Sequence, residues 1–222
     1  MIDEAPIGTF LDDVASERVT PAGGTVVAVS AAMGAALCEM ACIHTVAARG
    51  SDADDPDLTD PSSGDPDFDD PDFDDSDLDG LDLEDPNLDG FEDLRADLAD
   101  QRRKLLLLAD RDAELVDELF GGGSPSEPSD RISKRAAGVP LATAEAALAV
   151  LEDAAVVIEH GRPGVAADAR AGAYLADAAV RASLATVSVN VETLEDRSYA
   201  ATIEERSAEI ATRAAAIRHD VL

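Results

Sequence analysis

Tryptophan is absent from this chain of 222 residues, and aromatic residues make up only 3% of it. A core must therefore be assembled from Ala, Val, Leu and Ile, and side chains this small favour closely packed helices. Lysine is nearly missing as well, with Lys104 and Lys134 standing against fifteen arginines. The formal net charge is −31, so no basic patch is expected to displace phosphate counterions, and nucleic acid is not expected as a partner. Cysteine is limited to Cys38 and Cys42, which a helix would place on one face of an apolar segment. That spacing is not a disulfide framework, and a reduced, cytoplasmic setting is expected. The opening Met1-Ile2-Asp3-Glu4 lacks the positive charge that begins a secretory signal. No run reads as a strand.

What the chain does contain is helical periodicity and acid. At this length one domain over residues 1–222 is expected, interrupted by an acidic low-complexity insertion at 50–90. Residues 52–93 hold eighteen Asp and two Glu with no Lys or Arg. The remainder is acidic too, as suits a protein kept hydrated in strong salt, where the Debye length falls to about 3 Å at 1 M. A salt-adapted, halophilic protein is the expectation. The insertion repeats Asp-Pro-Asp-Phe-Asp-Asp at 65–70 and 70–75. Two fragments, 75–80 and 85–90, match the first half of a calcium-binding loop, but Pro86 and Ala96 stand where its closing Glu belongs. A solvated acidic loop is the reading, with weak cation binding as the alternative.

The fold expected is an all-α antiparallel bundle of about five helices, introduced by a short helix over 6–16. The long helices fall at about 25–48, 91–120, 131–160, 165–193 and 196–220, with Thr25 as N-cap of the first and a bend or restart at Pro140. Residues 25–48 are apolar enough to raise a membrane span, but Glu39 and His44 interrupt them. A buried core helix is preferred and no membrane partner is expected.

Polar residues on apolar seams mark candidate chemistry. In 91–120 the seam through Leu94, Leu98, Leu105, Leu108, Leu115 and Leu119 places Asp112 in line with the leucines. A carboxylate there is a desolvated acid–base group, an exposed bundle-edge Asp, or one salt-bridged to an Arg such as Arg111 or Arg170. Asp168 and Asn190 fall on one stripe of the 165–193 helix, roughly 33 Å apart by helical rise. Either one of them is structural, or a symmetric dimer brings the end of one subunit's helix to the start of another's. Gly23 and Gly24, ahead of a helix, make either a tight turn or a cradle in which backbone N–H groups meet a ligand. His44, His160 and His219 show no ligand spacing, Cys38 and Cys42 read as core, and no metal is expected.

Five segments in order carry a resemblance. Phe10-Leu11-Asp12-Asp13-Val14-Ala15 with Thr20-Pro21-Ala22-Gly23-Gly24-Thr25, then Asp110-Arg111-Asp112-Ala113, Val139-Pro140-Leu141, Ala167-Asp168 running into Leu175-Ala176-Asp177-Ala178-Ala179, and Val189-Asn190-Val191 are similar to the cyclodeaminase/cyclohydrolase family of folate enzymes. The resemblance covers the chain outside about 51–90. It implies a homodimeric helical bundle acting on the one-carbon bridge of tetrahydrofolate, with a folate derivative as substrate. It implies catalytic roles for Asp112 and Asp168, and contacts to substrate or partner helix from Asn190. Gly23, Gly24 and Thr25 would hold folate oxygens. This chain departs from the family pattern at Ala22 (usually Gly), Thr25 (usually Ser) and Ala142 (usually Glu), and in carrying acid where the family is often lysine-rich.

Methenyltetrahydrofolate cyclohydrolase is the function expected, since the chain carries no formiminotransferase segment to feed the alternative, formiminotetrahydrofolate cyclodeaminase. The departures motivate a reading of another class, a folate-binding helical protein without turnover. Deleting residues 52–88 is expected to leave activity in moderate salt intact, because the insertion is compositionally separate from the helices; comparing turnover of the deletion and the full chain checks this.

Overall fold

The computed structural model describes residues 2, 5–52, 88–120 and 129–222. Among these there are six α-helices and no strand: α1 (Ile7–Val14), α2 (Gly23–Asp52), α3 (Leu88–Phe120), α4 (Asp130–His160), α5 (Ala166–Val191) and α6 (Arg197–Val221), with a 3-10 turn at Pro163–Val165 before α5. The bundle expected from periodicity is the one observed.

Helix α2 is the axis. It packs against α3, α4 and α5, while α6 lies on α4 and α5. Its inner face, Ala28, Ala31, Ala32, Ala35, Cys38, Ala41 and Cys42, is almost wholly buried. By length and composition Gly23–Ala48 could cross a membrane, with a mean hydropathy of 2.0; here that inner face is the centre of the bundle. Side chains this small let backbones touch. A Cβ added at Gly34 would stand 2.7 Å from the Gly172 carbonyl oxygen of α5, and one at Gly172 would stand 2.6 Å from Cys38 Sγ. The larger volume comes from α3 and α4, through Phe91, Leu98, Leu105, Leu115, Leu148 and Leu151. Phe10 of α1 closes one end against Ala28, Val29 and Ala109.

Three polar devices tie the helices together. Pro140 lies inside α4, which runs through it without restarting, contrary to the restart the sequence allowed. Proline has no N–H, so the carbonyl of Ala136, four residues earlier, loses its helical donor. Asn190 of α5 replaces it, its Nδ2 donating to Ala136 O at 2.6 Å. Asp177, buried on α5, accepts from Arg218 Nε and Nη2 at 2.9 and 2.6 Å and pairs with Arg181 at 3.1 Å, anchoring the end of α6. Asp196 caps the start of α6 by accepting from Tyr199 N–H and also receives Ser198 Oγ and Lys134 Nζ. The Ser198 hydroxyl, then Lys134 and the Tyr199 N–H, hold its carboxyl well below the usual range.

Some boundaries differ from expectation. Helix α2 begins at Gly23, so Thr25 lies inside the first turn rather than capping it; the Ala22 carbonyl accepts the Val26 N–H at 3.1 Å. The Thr25 hydroxyl is instead committed to another helix, donating to Asp112 Oδ2 at 2.7 Å. Helix α3 begins at Leu88, so the last three positions of the 85–90 calcium-like fragment are helical. The fragment at 75–80, the repeats at 65–75 and Gly121-Gly122-Gly123 lie outside the described residues.

Asn190→Leu is expected to cost about 1–2 kcal/mol by stranding the Ala136 carbonyl. Pro140→Ala in the same chain returns the missing N–H and should recover most of that loss, as read by urea denaturation of the single and double variants.

Candidate active site

The amino end of α2 faces the middle of α3's carboxyl half. The first-turn N–H groups of α2, at Gly23, Gly24 and Thr25, have no helical acceptor, and they carry the positive end of the helix dipole. The chain enters this turn through a cis Thr20–Pro21 bond. Asp112 of α3 is brought directly against it. Thr25, fully buried, donates its hydroxyl to Asp112 Oδ2 at 2.7 Å. A Cβ at position 24 would collide with both carboxylate oxygens, so only glycine permits this approach.

Asp112 is thus neither a bundle-edge residue nor the partner of a neighbouring arginine. It is half-buried, Arg111 pairs instead with Glu114 at 3.1 Å, and among the described residues no ion pair reaches Asp112. One carboxylate oxygen is held by a hydroxyl, while Oδ1 lies over Gly24 and receives no hydrogen bond among the described residues. Such a group can accept a proton or stand beside a developing cation, with its orientation set in advance.

The other expected site residues, Asn190 and Asp168, do not lie together. Asn190 lies at the Asp112 end, behind the α4 segment that faces α3, with Nδ2 committed to Ala136. Asp168 is exposed in the first turn of α5. Its neighbour Ala169 accepts the Cys38 thiol at 3.7 Å, and Cys38 is fourteen residues beyond Gly24, roughly 21 Å along α2. Within one chain Asp168 and Asp112 do not meet. Beside the Asp112 end, a pocket of about 490 Å³ opens between α3, the first half of α4 and the start of α6. Leu108, Gly138, Val139, Ala142 and Tyr199 line it, with Arg131, Lys134 and Arg135 at its side.

A polar residue that the seam argument passed over is Gln101. It sits three residues after Leu98 and four before Leu105, on the stripe that singled out Asp112, and its Oε1 is buried without a hydrogen-bond partner among the described residues. The same periodicity would have found it. Among the described residues no group of three or more His, Cys, Asp or Glu converges as metal ligands would. Cys38 and Cys42 are free and buried, and burial pushes both thiols up to about 12. They stay protonated at neutral pH and pack as core.

The sequence model of the formiminotransferase-cyclodeaminase family matches residues 6–60 and 82–209, leaving 61–81, inside the acidic stretch, unmatched. A methenyltetrahydrofolate cyclohydrolase from Methylorubrum extorquens is 30% identical over 221 residues, covering 95% of this chain and 89% of that protein. The crystal structure of a formiminotetrahydrofolate cyclodeaminase from Thermotoga maritima superposes with a TM-score of 0.76 at 21% identity, covering 100% of this chain and 96% of that one, and so shares its fold.

Away from Asp112, Asp153 of α4 is the carboxylate most perturbed upward. Burial, with Asp97 and Glu152 adding like charge, raises it from 3.8 to about 6. The folded chain therefore keeps a proton between about pH 4 and 6 that the unfolded chain has lost, so this group's contribution to stability is full below pH 4 and is gone above 6. Asp153→Asn is expected to gain stability over the original protein as pH rises through that window and to gain nothing below it, which melting temperatures of the pair measured from pH 4 to 7 will check.

Proposed function

Because the chain belongs to the formiminotransferase-cyclodeaminase family, we propose that it is a methenyltetrahydrofolate cyclohydrolase, opening 5,10-methenyltetrahydrofolate with water to give 10-formyltetrahydrofolate. The observation that carries this reading is the Asp112 carboxylate, oriented by the Thr25 hydroxyl at 2.7 Å over a glycine that lets it reach the amino end of α2. The cyclohydrolase name of the 30% identical relative supports hydrolysis over ammonia release.

The chemistry fits these groups. The methenyl bridge is an amidinium-like cation, which a half-buried carboxylate stabilises more strongly than water would. Water adds its oxygen to the bridge carbon while one of its protons passes to Asp112. The carbinolamine then collapses: the bond from the bridge carbon to N5 breaks, N5 takes the proton from Asp112, and the hydroxyl proton leaves to solvent. The formyl group remains on N10, and the free N–H groups of Gly23, Gly24 and Thr25 hold oxygens of the folate. Asn190 serves the same end of the site through its remaining amide oxygen and by fixing α4.

A homodimer completes the proposal. Met33, Ala36, Met40, Ile43 and Ala47 recur at spacings of three and four along the outer side of α2, and Met33 and Ile43 are each 44% exposed. This uncovered apolar face is suited to a second copy, and only a second copy could carry an Asp168 to the Asp112 of its partner. The acidic, lysine-poor composition supports a salt-adapted protein of the cytoplasm.

Asp112→Asn keeps the side-chain volume but removes the proton acceptor, and is expected to lower kcat for methenyl hydrolysis by about 10²–10⁴-fold with an unchanged melting temperature. The loss is read from the fall in methenyl absorbance with purified protein. Ammonia release from formiminotetrahydrofolate, without accelerated methenyl hydrolysis, would overturn the cyclohydrolase assignment in favour of cyclodeamination. Full turnover by Asp112→Asn would remove Asp112 from the mechanism.

A further inference from the structure

We infer that the pocket between α3, α4 and the start of α6 seats the aryl carboxylate half of the substrate, with its terminal carboxylates on Arg131, Lys134 and Arg135. The inference rests on the folate reading above and locates a part of the ligand to which the Asp112 chemistry gives no place.

Charge is the first argument. In a chain of net charge −31, an anionic ligand is repelled unless a local field offsets the rest. Residues 131–135 bring three cations onto neighbouring turns of one helix, and all three line the pocket, where Asp130 is the one carboxylate beside them. Their present partners leave donors unused. Glu118 takes Arg135 Nη1 at 2.6 Å and lies 3.6 Å from Arg131 Nη2, while Lys134 divides between Asp130 and Asp196 at 3.1 and 2.9 Å. A guanidinium has five N–H donors and an ammonium three, so each cation retains at least one for a ligand carboxylate.

Shape and reach are the second. A cavity of about 490 Å³ lies within the roughly 300–1,000 Å³ range of small-molecule sites. Its apolar wall is built from Leu108, Val139 and Ala142, and Tyr199 stands opposite with Lys134 Nζ 5.3 Å from its ring centroid. Leu108 precedes Asp112 by one helical turn on the same face of α3, roughly 6 Å. In the substrate the nitrogen that bears the bridge also bears the benzoyl ring. A bridge carbon at Asp112 therefore puts the ring beside Leu108, with the amide and the carboxylates farther along, towards the cations of α4.

Gly138 keeps this space open. A Cβ there would make only ordinary contact, 3.6 Å from the Tyr199 hydroxyl, whereas a longer side chain would fill the pocket. Leucine also favours helix over glycine, so Gly138→Leu closes the cavity without weakening α4.

The test uses p-aminobenzoylglutamate as probe, titrated calorimetrically into the full chain, beside steady-state kinetics on methenyltetrahydrofolate. The probe is expected to bind the original protein. Loss of one charged hydrogen-bond donor in Arg135→Ala should weaken binding about tenfold or more, and Gly138→Leu should abolish it, with melting temperatures maintained. Both variants should raise KM in parallel while kcat stays within about twofold, the pattern of lost uniform binding. Absence of probe binding, equal binding by all three proteins, displacement of the probe by inorganic phosphate at equal concentration, or an unchanged KM in both variants would overturn the inference. Arg135-dependent probe binding by a protein that converts no folate would uphold the pocket and defeat the cyclohydrolase reading instead.

Discussion

From Gly23 to Ala48, helix α2 buries no side chain larger than valine, and the rest of the bundle is arranged around that constraint. Burial of small side chains yields little apolar area per residue, so stability must come from close approach, where dispersion contacts are dense and voids are few. The Gly34–Gly172 crossing takes this to its limit, with a carbonyl occupying the space a Cβ would need. At the amino end of the same helix, the same closeness serves a polar purpose. Gly24 admits the Asp112 carboxylate to a place that any other residue would block.

Polar groups in this interior are mostly answered one for one. The Ala136 carbonyl, deprived of its donor by Pro140, receives Asn190; Asp177 receives Arg218; Asp112 receives Thr25. Each pairing joins two different helices, so each fixes relative position as well as satisfying a hydrogen bond. Asp112 differs from Asp177 in how its oxygens are held. Asp177 is saturated by guanidinium donors, as an anchor should be, whereas Asp112 is held at one oxygen and open at the other. The pocket one turn away on α3 adds a cleft to this end of the molecule, lined by Asp130 as well as by Arg131, Lys134 and Arg135.

Much of this was legible beforehand. Helix positions followed from leucine and alanine spacing because a helix must bury a continuous stripe, and the stripe survives in the sequence whatever it packs against. The same rule exposed Asp112 as out of place and would have exposed Gln101. The N-cap reading of Thr25 failed because capping is a local inference, and a distant carboxylate competed for the hydroxyl. Asn190 was marked by position, but its bond to Ala136 depends on a proline fifty residues away that the stripe does not reveal. The Arg131, Lys134 and Arg135 cluster was visible as letters only; its pocket exists because α3 and α6 converge on that face of α4.

By itself, then, the sequence determined the helical class, the order and approximate length of the helices, the acidic character of the chain and the identity of the family resemblance. These depend on near-neighbour periodicity and composition, which are complete within each segment. Only the tertiary structure decided that Gly24, Thr25 and Asp112 meet, that Asn190 repairs α4 near them, and that Asp168 stands beside the middle of α2, away from Asp112. Such facts depend on which helix ends meet, and that is set by how closely small side chains let backbones approach, a property of pairs of helices.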